Sequence, residues 1–400
     1  MLVRGESTEE CVYYGERKIV EVTDPKYFIY ERFERGVPRR VRSGLAKLLQ
    51  KKPQWVVGDR YPLAQLIGDS REPIRILIRR FGALGDLIML RAVVHSFTKL
   101  FPWVSFGLRC EDRHLAIFKN DPLWIEKLGY SDNCEIEYSG TIILDGIAEV
   151  DHSRRAEEQV HRVDLFTRFL LKGVDMIGKK LDITWHLPIG YEDRTWVQKW
   201  MISQKIARHQ LDGSPLIALQ MRGSGEMKSL PESHVRELAL NLAEYGHVVL
   251  LDPDNYYEDL LQKSNKIHQP QTDVLKIASI LEYVDCCVTM DSGILWICHC
   301  TKTPVVCLLG PTRPSERITL HPLYKDGLAR TIELNEIIHC PPCFETANRC
   351  SWRYDCLRQG LASWKDLLFD HVEDICARRL ESRSTRPVRE VPKDISLPRM

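Results

Sequence analysis

Residues 74–101 read IRILIRRFGALGDLIMLRAVVHSFTKLF. An apolar run, IRILIRR, meets a loop of small residues, FGALGD (81–86), and apolar positions then recur at helical spacing through LIMLRAVVHSFTKLF. Strand, tight loop and helix in succession form the opening unit of a parallel sheet. Downstream, VSFGLRC (104–110) and GTIILDG (140–146) supply two more strand candidates, separated by stretches with helical spacing. The rhythm is β then α, repeated.

A second series follows the helical pattern TWVQKWMISQKIARHQL, where DGSP (212–215) supplies turn chemistry and a domain boundary. The register restarts at Leu216 with LIALQM, the loop RGSGEMKSLPE and a helix to about Tyr245. HVVLLD, a helix through DVLKIASILEYV, CCVTM, the loop DSGI and PVVCLL complete it. Short apolar runs bounded by Gly, Pro, Asp and Ser indicate buried parallel strands. At 400 residues the chain also exceeds what one core organises, about 250–300 residues. The expected fold class is therefore α/β, with two doubly wound halves and no solenoid repeat. The predicted organisation is an N-terminal extension (1–72), an N-terminal Rossmann-like domain (73–212), a C-terminal Rossmann-like domain (213–380) and a flexible polar tail (381–400). Within the extension, CVYYGERKIVEV suggests a short strand pair and RRVRSGLAKLLQKK a basic amphipathic helix.

Composition excludes several classes. With 44% hydrophobic and 28% charged residues the chain can bury a core. The 56 basic and 55 acidic residues leave a net charge of +1, without the excess that duplex nucleic-acid binding through phosphates brings. Basic character is local, at Arg39, Arg40, Arg42, Lys47, Lys51 and Lys52 and at Arg378, Arg379, Arg383, Arg386 and Arg389, and solvated faces give the same pattern. Residues 1–10 are polar and acidic, unlike a secretory leader. The stretch 294–309 is broken by His299, Lys302 and Pro304, short of the roughly 20 apolar residues of a membrane span. A cytoplasmic location is expected. Thirteen cysteines cannot all pair internally, so most are expected reduced, with Cys286, Cys287, Cys298, Cys300 and Cys307 packing as small hydrophobes.

Ligands of open α/β sheets gather beyond the carboxyl ends of the strands, where helix N-termini offer unpaired N–H groups. Four loops occupy such places: FGALGD, RGSGEMK (222–228), DSGI (291–294) and GPTRPSER (310–317). The first, with Gly82 and Gly85, matches neither the P-loop nor the Gly-x-Gly-x-x-Gly pattern, which argues against a nucleoside triphosphatase or an ordinary dinucleotide enzyme. It provides Asp86, at a helix start near where two domains would meet. Asp86 is either a general base toward an acceptor hydroxyl or a helix cap. In the second loop Arg222, Gly223, Ser224 and Lys228 combine close backbone approach with cations, which suits a diphosphate, although surface loops share that composition. In the third, Asp291 ends a strand while Ser292 and Gly293 can present N–H groups to phosphate.

The run CPPCFETANRCSWRYDC places Cys340, Cys343, Cys350 and Cys356 within seventeen residues. Four thiolates suit zinc or iron and fill a tetrahedral site, which braces a fold without activating water. Disulfides and uncoordinated thiols are the other readings, the former disfavoured in a reducing compartment.

Together these loops resemble the heptosyltransferase family of glycosyltransferases, family nine, over roughly residues 74–360. ILIRRFGALGDLIMLRAVVHSFTKLFP is similar to the family's opening strand, LGD loop and helix. VTMDSGILWICHCTKTPVVCLLGPT is similar to its Asp-Thr/Ser-Gly donor loop, helix, strand and Gly-Pro-Thr turn. The resemblance implies a GT-B fold, two Rossmann-like domains facing across a cleft, and an inverting enzyme using a nucleotide-diphosphate sugar, commonly ADP-heptose, without a catalytic metal. It also implies Asp86 as general base, Lys228 against the donor diphosphate, Ser292 and Gly293 binding phosphate through their backbone, and Gly310, Pro311 and Thr312 shaping the nucleotide side. The cysteine run resembles the metal finger of the subgroup that glycosylates bacterial autotransporters. Two positions depart from the family: Trp296 stands where its histidine usually does, and LDPDNYYE replaces a Gly-Gly-x-x-Glu stretch, leaving Asp252 or Asp254 for the ribose.

The expected function is transfer of a heptose or hexose-like sugar from a nucleotide sugar to an acceptor hydroxyl on a glycan, a protein or a modified nucleic acid, with or without oligomerisation. A nucleotide-sugar epimerase or hydrolase on the same frame, and a metal-stabilised nucleotide-binding scaffold without activity, are the other readings.

Overall fold

The computed structural model describes residues 9–14, 20–24, 29–33, 39–42, 55–58, 73–145, 161–171, 181–206, 213–223, 225–252, 256–337, 339–340, 355–358 and 361–384. Two compact units emerge. The first comprises residues 1–190 with the short segments 273–275 and 315–317, and the second the remainder, beginning at Tyr191.

Five short strands open the chain: β1 (Glu9–Tyr14), β2 (Val20–Asp24), β3 (Ile29–Phe33), β4 (Arg39–Arg42) and β5 (Trp55–Gly58). β1 lies between β4 and β5, antiparallel to both, and β2 pairs with β3. This corrects two expectations. The strands in CVYYGERKIVEV pair with other partners rather than with each other, and the first four residues of the supposed basic helix form β4. With a single apolar residue in RRVR the pattern fits a strand as well as a helix, and pairing with β1 decides between them.

The first parallel sheet has the order β8-β7-β6-β9, with β6 (Ile74–Arg79), β7 (Val104–Arg109), β8 (Trp124–Leu128) and β9 (Gly140–Ile143). Helix α1 (Leu84–Leu100) makes the β6-to-β7 crossover and is buried along much of its length, so its sequence is apolar almost all round. Helix α2 (Arg162–Leu171) packs against it. Arg91 on α1 is enclosed, donating to Asp121 at 2.5 and 3.0 Å.

In the second unit, α3 (Tyr191–Ser203) precedes a six-stranded parallel sheet of order β12-β11-β10-β13-β14-β15. Its strands are β10 (Leu216–Gln220), β11 (His247–Leu250), β12 (Ile267–His268), β13 (Cys286–Met290), β14 (Val305–Leu309) and β15 (Ala329–Glu333). Numbered from β10, this is the doubly wound order 3-2-1-4-5-6, which reverses between β10 and β13. Every residue of β10, β13 and β14 is buried, which is why each reads as an unbroken apolar run. Helices α4 (Glu232–Tyr245), α5 (Val274–Leu281) and α6 (Gly293–Thr301) connect the strands. Cys286, Cys287, Cys298 and Cys307 are fully buried, and burial pushes the Cys286 and Cys287 thiols well above their ordinary range, as packing residues require. Two four-residue helices, α7 (Leu334–Ile337) and α8 (Asp355–Arg358), pack together. The last helix, α9 (Lys365–Ser384), buries Leu368, Val372, Ile375 and Cys376 in the same core as Val288 and Val306. It runs into the segment expected to be tail, carried by that apolar face. Among the described residues no helix is long and apolar enough to cross a membrane.

Asp121→Ala takes the carboxylate from the Arg91 guanidinium in the core of the first unit, leaving it the His186 carbonyl. Loss of one member of a buried pair costs about 3–5 kcal/mol, so chemical denaturation should show a marked loss of stability.

Candidate active site

In the first unit, α1 begins inside the glycine loop, with Ala83 as its N-cap and Asp86 in its first turn. Asp86 is 4% exposed, and its carboxylate is not spent on capping the helix. Arg80 Nη2 donates to Oδ2 at 2.6 Å, while Arg162 Nη1, from the start of α2, donates to Oδ1. Arg80 is wholly enclosed and its Nη1 also donates to Leu144 O at 2.7 Å, so it is fixed from two sides. Gly82 makes room for it: a Cβ there would lie 2.9 Å from Arg80 Nε. Gly85 is buried one residue before Asp86. Burial alone would push the Asp86 carboxyl up. The charges and hydrogen bonds of Arg162 and Arg80 outweigh it and hold the group below the ordinary 3.8.

In the second unit the loop after β10 folds back tightly. Lys228 N–H donates to Gly225 O at 3.0 Å, and Gly223 N–H to Ser229 Oγ at 3.0 Å. Gly223 is required for this path, since a Cβ would fall 2.5 Å from Lys228 Cβ and 2.6 Å from Lys228 O. Lys228 Nζ thereby reaches Asp291 Oδ2 at 3.2 Å, just after β13. Thr312, beyond β14, donates to the same oxygen at 3.3 Å. Three of the expected loops thus converge on one carboxylate at the carboxyl ends of β10, β13 and β14, beside the switch point.

Ser292 caps α6, its Oγ accepting from Ile294 N–H at 3.2 Å and donating to Gln220 Oε1 at 2.7 Å. The hydroxyl is thus engaged within the protein, and it is the backbone around Ser292 and Gly293 that forms the positive end of the helix. Gly310 and Pro311 are buried in the turn after β14, and a Cβ on Gly310 would lie 2.9 Å from Leu357 on α8. Arg222 belongs to a neighbouring cluster. Its guanidinium lies 3.8 Å from the Tyr256 ring centroid and 3.4 Å from Asp252, whose other oxygen accepts Tyr256 N–H at 3.0 Å. Trp296 is buried and packs on His299 at 4.8 Å. Ser224, Asp254, Cys343 and Cys350 lie outside the described residues. Among the described residues no group of three or more His, Cys, Asp or Glu is placed to hold a metal ion.

Sequence reading missed the two arginines on Asp86. Arg80 carries a local signal, six positions away across a glycine turn, whereas Arg162 is 76 positions distant and has none.

Residues 153–350 match the sequence profile of glycosyltransferase family 9 (heptosyltransferase). A solved structure of the glycosyl transferase family 9 protein from Veillonella parvula is 13% identical, with a TM-score of 0.56 over 77% of this chain and 98% of that one. The E. coli ADP-heptose lps heptosyltransferase II is 14% identical, with a TM-score of 0.48 over 76% of this chain and 99% of its own. The bacterial iron-containing dodecameric glycosyltransferase TibC from enterotoxigenic E. coli is 11% identical, with a TM-score of 0.49 over 94% of this chain and 92% of its own. No curated protein matches the chain in sequence. Two Rossmann-like units with parallel sheets give the chain the GT-B fold. It is a heptosyltransferase-like glycosyltransferase, its residues 153–350 carrying the family 9 profile.

A depressed carboxyl is ionised above its folded-state pKa, so its contribution to stability is present above the unfolded value and fades as pH falls through the folded one. Arg162→Met removes the leading charge on Asp86 and should move its titration upward, read by carbon-13 NMR of the carboxyl. An unmoved titration would show that Arg162 does not hold this group.

Proposed function

We propose that the chain is an inverting transferase that moves heptose, or a closely related sugar, from a nucleoside-diphosphate donor to an acceptor hydroxyl by a single in-line displacement. The observation that carries this reading is the meeting of Lys228, Asp291 and Thr312 beside the N-terminus of α6. A lysine and a helix N-terminus together stabilise the charge that develops on a departing diphosphate. Before donor arrives Lys228 rests on Asp291, and a diphosphate carrying more charge than one carboxylate draws it away. Gly223 keeps the lysine within reach, while Gly310, Pro311 and Thr312 shape the adjoining turn. Asp252, with its hydrogen bond to Tyr256 N–H, stands after the second strand of the doubly wound order, where an acidic residue serves a ribose hydroxyl.

Asp86 is the general base of this scheme. Its two arginines keep it ionised at neutral pH, so the proton-accepting form is the populated one. They also lower its basicity, which favours proton transfer late in the displacement, as the acceptor oxygen gains positive charge. Each carboxylate oxygen has two lone pairs and each arginine engages one oxygen. The Arg162 side is the more open, its side chain 13% exposed against 0% for Arg80, so the acceptor hydroxyl meets Oδ1. The same ion pairs favour a second reading, in which Asp86 only organises the loop.

The cysteine run forms a bracing zinc or iron site in this proposal. Cys340 is clamped by Asn335, which accepts from its N–H at 2.8 Å and donates to its carbonyl at 3.1 Å. Cys356 lies on α8, packed against α7 just before Cys340, so the two outer thiols belong to touching elements. Thiolate donors fit such a metal, which would hold this segment against Gly310 and take no part in the reaction.

Asp86→Asn should lower turnover by roughly 10²–10⁴-fold, the usual worth of a general base, while ADP affinity by calorimetry stays near wild type. Undiminished turnover rules out the base, and lost folding favours the organising role. Lys228→Met should weaken ADP binding about 10- to 100-fold, in line with one charge-assisted contact. Rapid donor consumption without acceptor would favour an epimerase or hydrolase instead. Elemental analysis of the purified chain should find one zinc or iron per chain, and Cys356→Ser should lose it together with thermal stability.

A further inference from the structure

All four strands of the first parallel sheet end in residues that build one small surface. After β6 comes Phe81, in the same loop as Asp86 and half-buried. After β8 comes Tyr130, a residue 72% exposed, whose ring meets Phe81 at 5.3 Å with the planes inclined by 49°. The residues after β7 and β9 fix the two backbones. Asp112 accepts Tyr130 N–H at 3.0 Å, and Asp145 accepts Phe81 N–H at 2.7 Å. Asp145 is held in turn by Arg79 Nε at 2.7 Å, and the Arg79 guanidinium lies over the Phe81 ring at 5.6 Å.

Exposure of Tyr130 is thus imposed by the fold. Gly129 donates to Asp132 at 2.7 Å, and a Cβ on it would lie 1.8 Å from the Asp112 carboxylate, so this path accepts only glycine. What sets Tyr130 apart from other exposed side chains is its place, paired with Phe81 at the end of an α/β sheet where ligands gather.

We propose that Phe81 and Tyr130 form a docking platform for an uncharged pyranose ring of the acceptor, resting on the reading of Asp86 as the base beside it. A pyranose has a face of C–H groups that lies on an aromatic ring and a rim of hydroxyls that need both donors and acceptors. The platform supplies both requirements, its rim being the part-exposed Arg79–Asp145 pair. The inclined rings leave no parallel slot for a nucleobase. The surrounding carboxylates Asp112, Asp132 and Asp145 match or exceed the guanidinium groups of Arg79 and Arg109, a balance that does not attract a polyanion. A neutral glycan is therefore the occupant, and a phosphorylated or nucleic-acid acceptor is the competing outcome.

The test is an array of neutral oligosaccharides, acidic oligosaccharides and single-stranded oligonucleotides probed with the full chain, followed by calorimetry on the strongest hit. Wild type should bind neutral glycans. Tyr130→Ala should weaken that binding at least 10-fold and Phe81→Leu should weaken it too, whereas Tyr130→Phe should retain it. ADP affinity and thermal midpoint should stay unchanged in all three variants. Absence of any neutral-glycan binding, full binding by folded Tyr130→Ala, or Tyr130-dependent binding of oligonucleotide alone overturns the proposal. Failure of wild type to bind ADP sinks the transferase reading separately, because the glycan readout needs no donor.

Discussion

Parallel strands buried on both faces have nowhere to put polar chemistry except at their ends. In the second unit β10, β13 and β14 expose none of their residues, and helices cover the sheet. Backbone bonding is completed within the sheet, and the side chains along these strands are committed to packing. What remains for function is the set of loops that leave the carboxyl ends, and there Lys228, Asp291, Thr312 and the start of α6 meet. The first unit obeys the same rule on a smaller sheet, with Asp86, Phe81, Asp112, Tyr130 and Asp145 all at strand ends.

Glycines set the geometry of these ends by what they lack. Gly82 lets Arg80 fold back over its own loop, and Gly223 lets the stem of Lys228 pass against the backbone. In both cases the charged side chain would be displaced by a single methyl group, so the glycine and the cation form one unit in space. The two arrangements differ in electrostatics. Asp86 faces two arginines, one of them sealed from water, whereas the cation against Asp291 is a lysine.

Sequence carried most of the second unit, because burial on both faces writes itself as continuous apolar runs such as LIALQ, CCVTM and VVCLL. The first parallel sheet was legible for the same reason at IRILIR and VSFGLR. The N-terminal strands were harder. Arg39–Arg42 sits beside leucines and lysines whose spacing also fits a helix, and only pairing with β1 separates the two. The convergence of the RGSGEMK, DSG and GPT loops was readable from their places after strands. Arg162 and Tyr130 were not, since neither stands in a patterned motif and each owes its position to contacts far along the chain.

The lysine resting on Asp291 bears on the end of a catalytic round as well as its start. If Lys228 serves the leaving diphosphate, the carboxylate 3.2 Å away is a standing competitor that reclaims the cation once the sugar has gone. Spent nucleotide would then be helped out by an internal rival of the same charge, and tight donor capture would be traded for faster clearance. An enzyme built this way answers to the ionic strength around it, because added salt weakens the visiting anion's hold more than that of the enclosed pair.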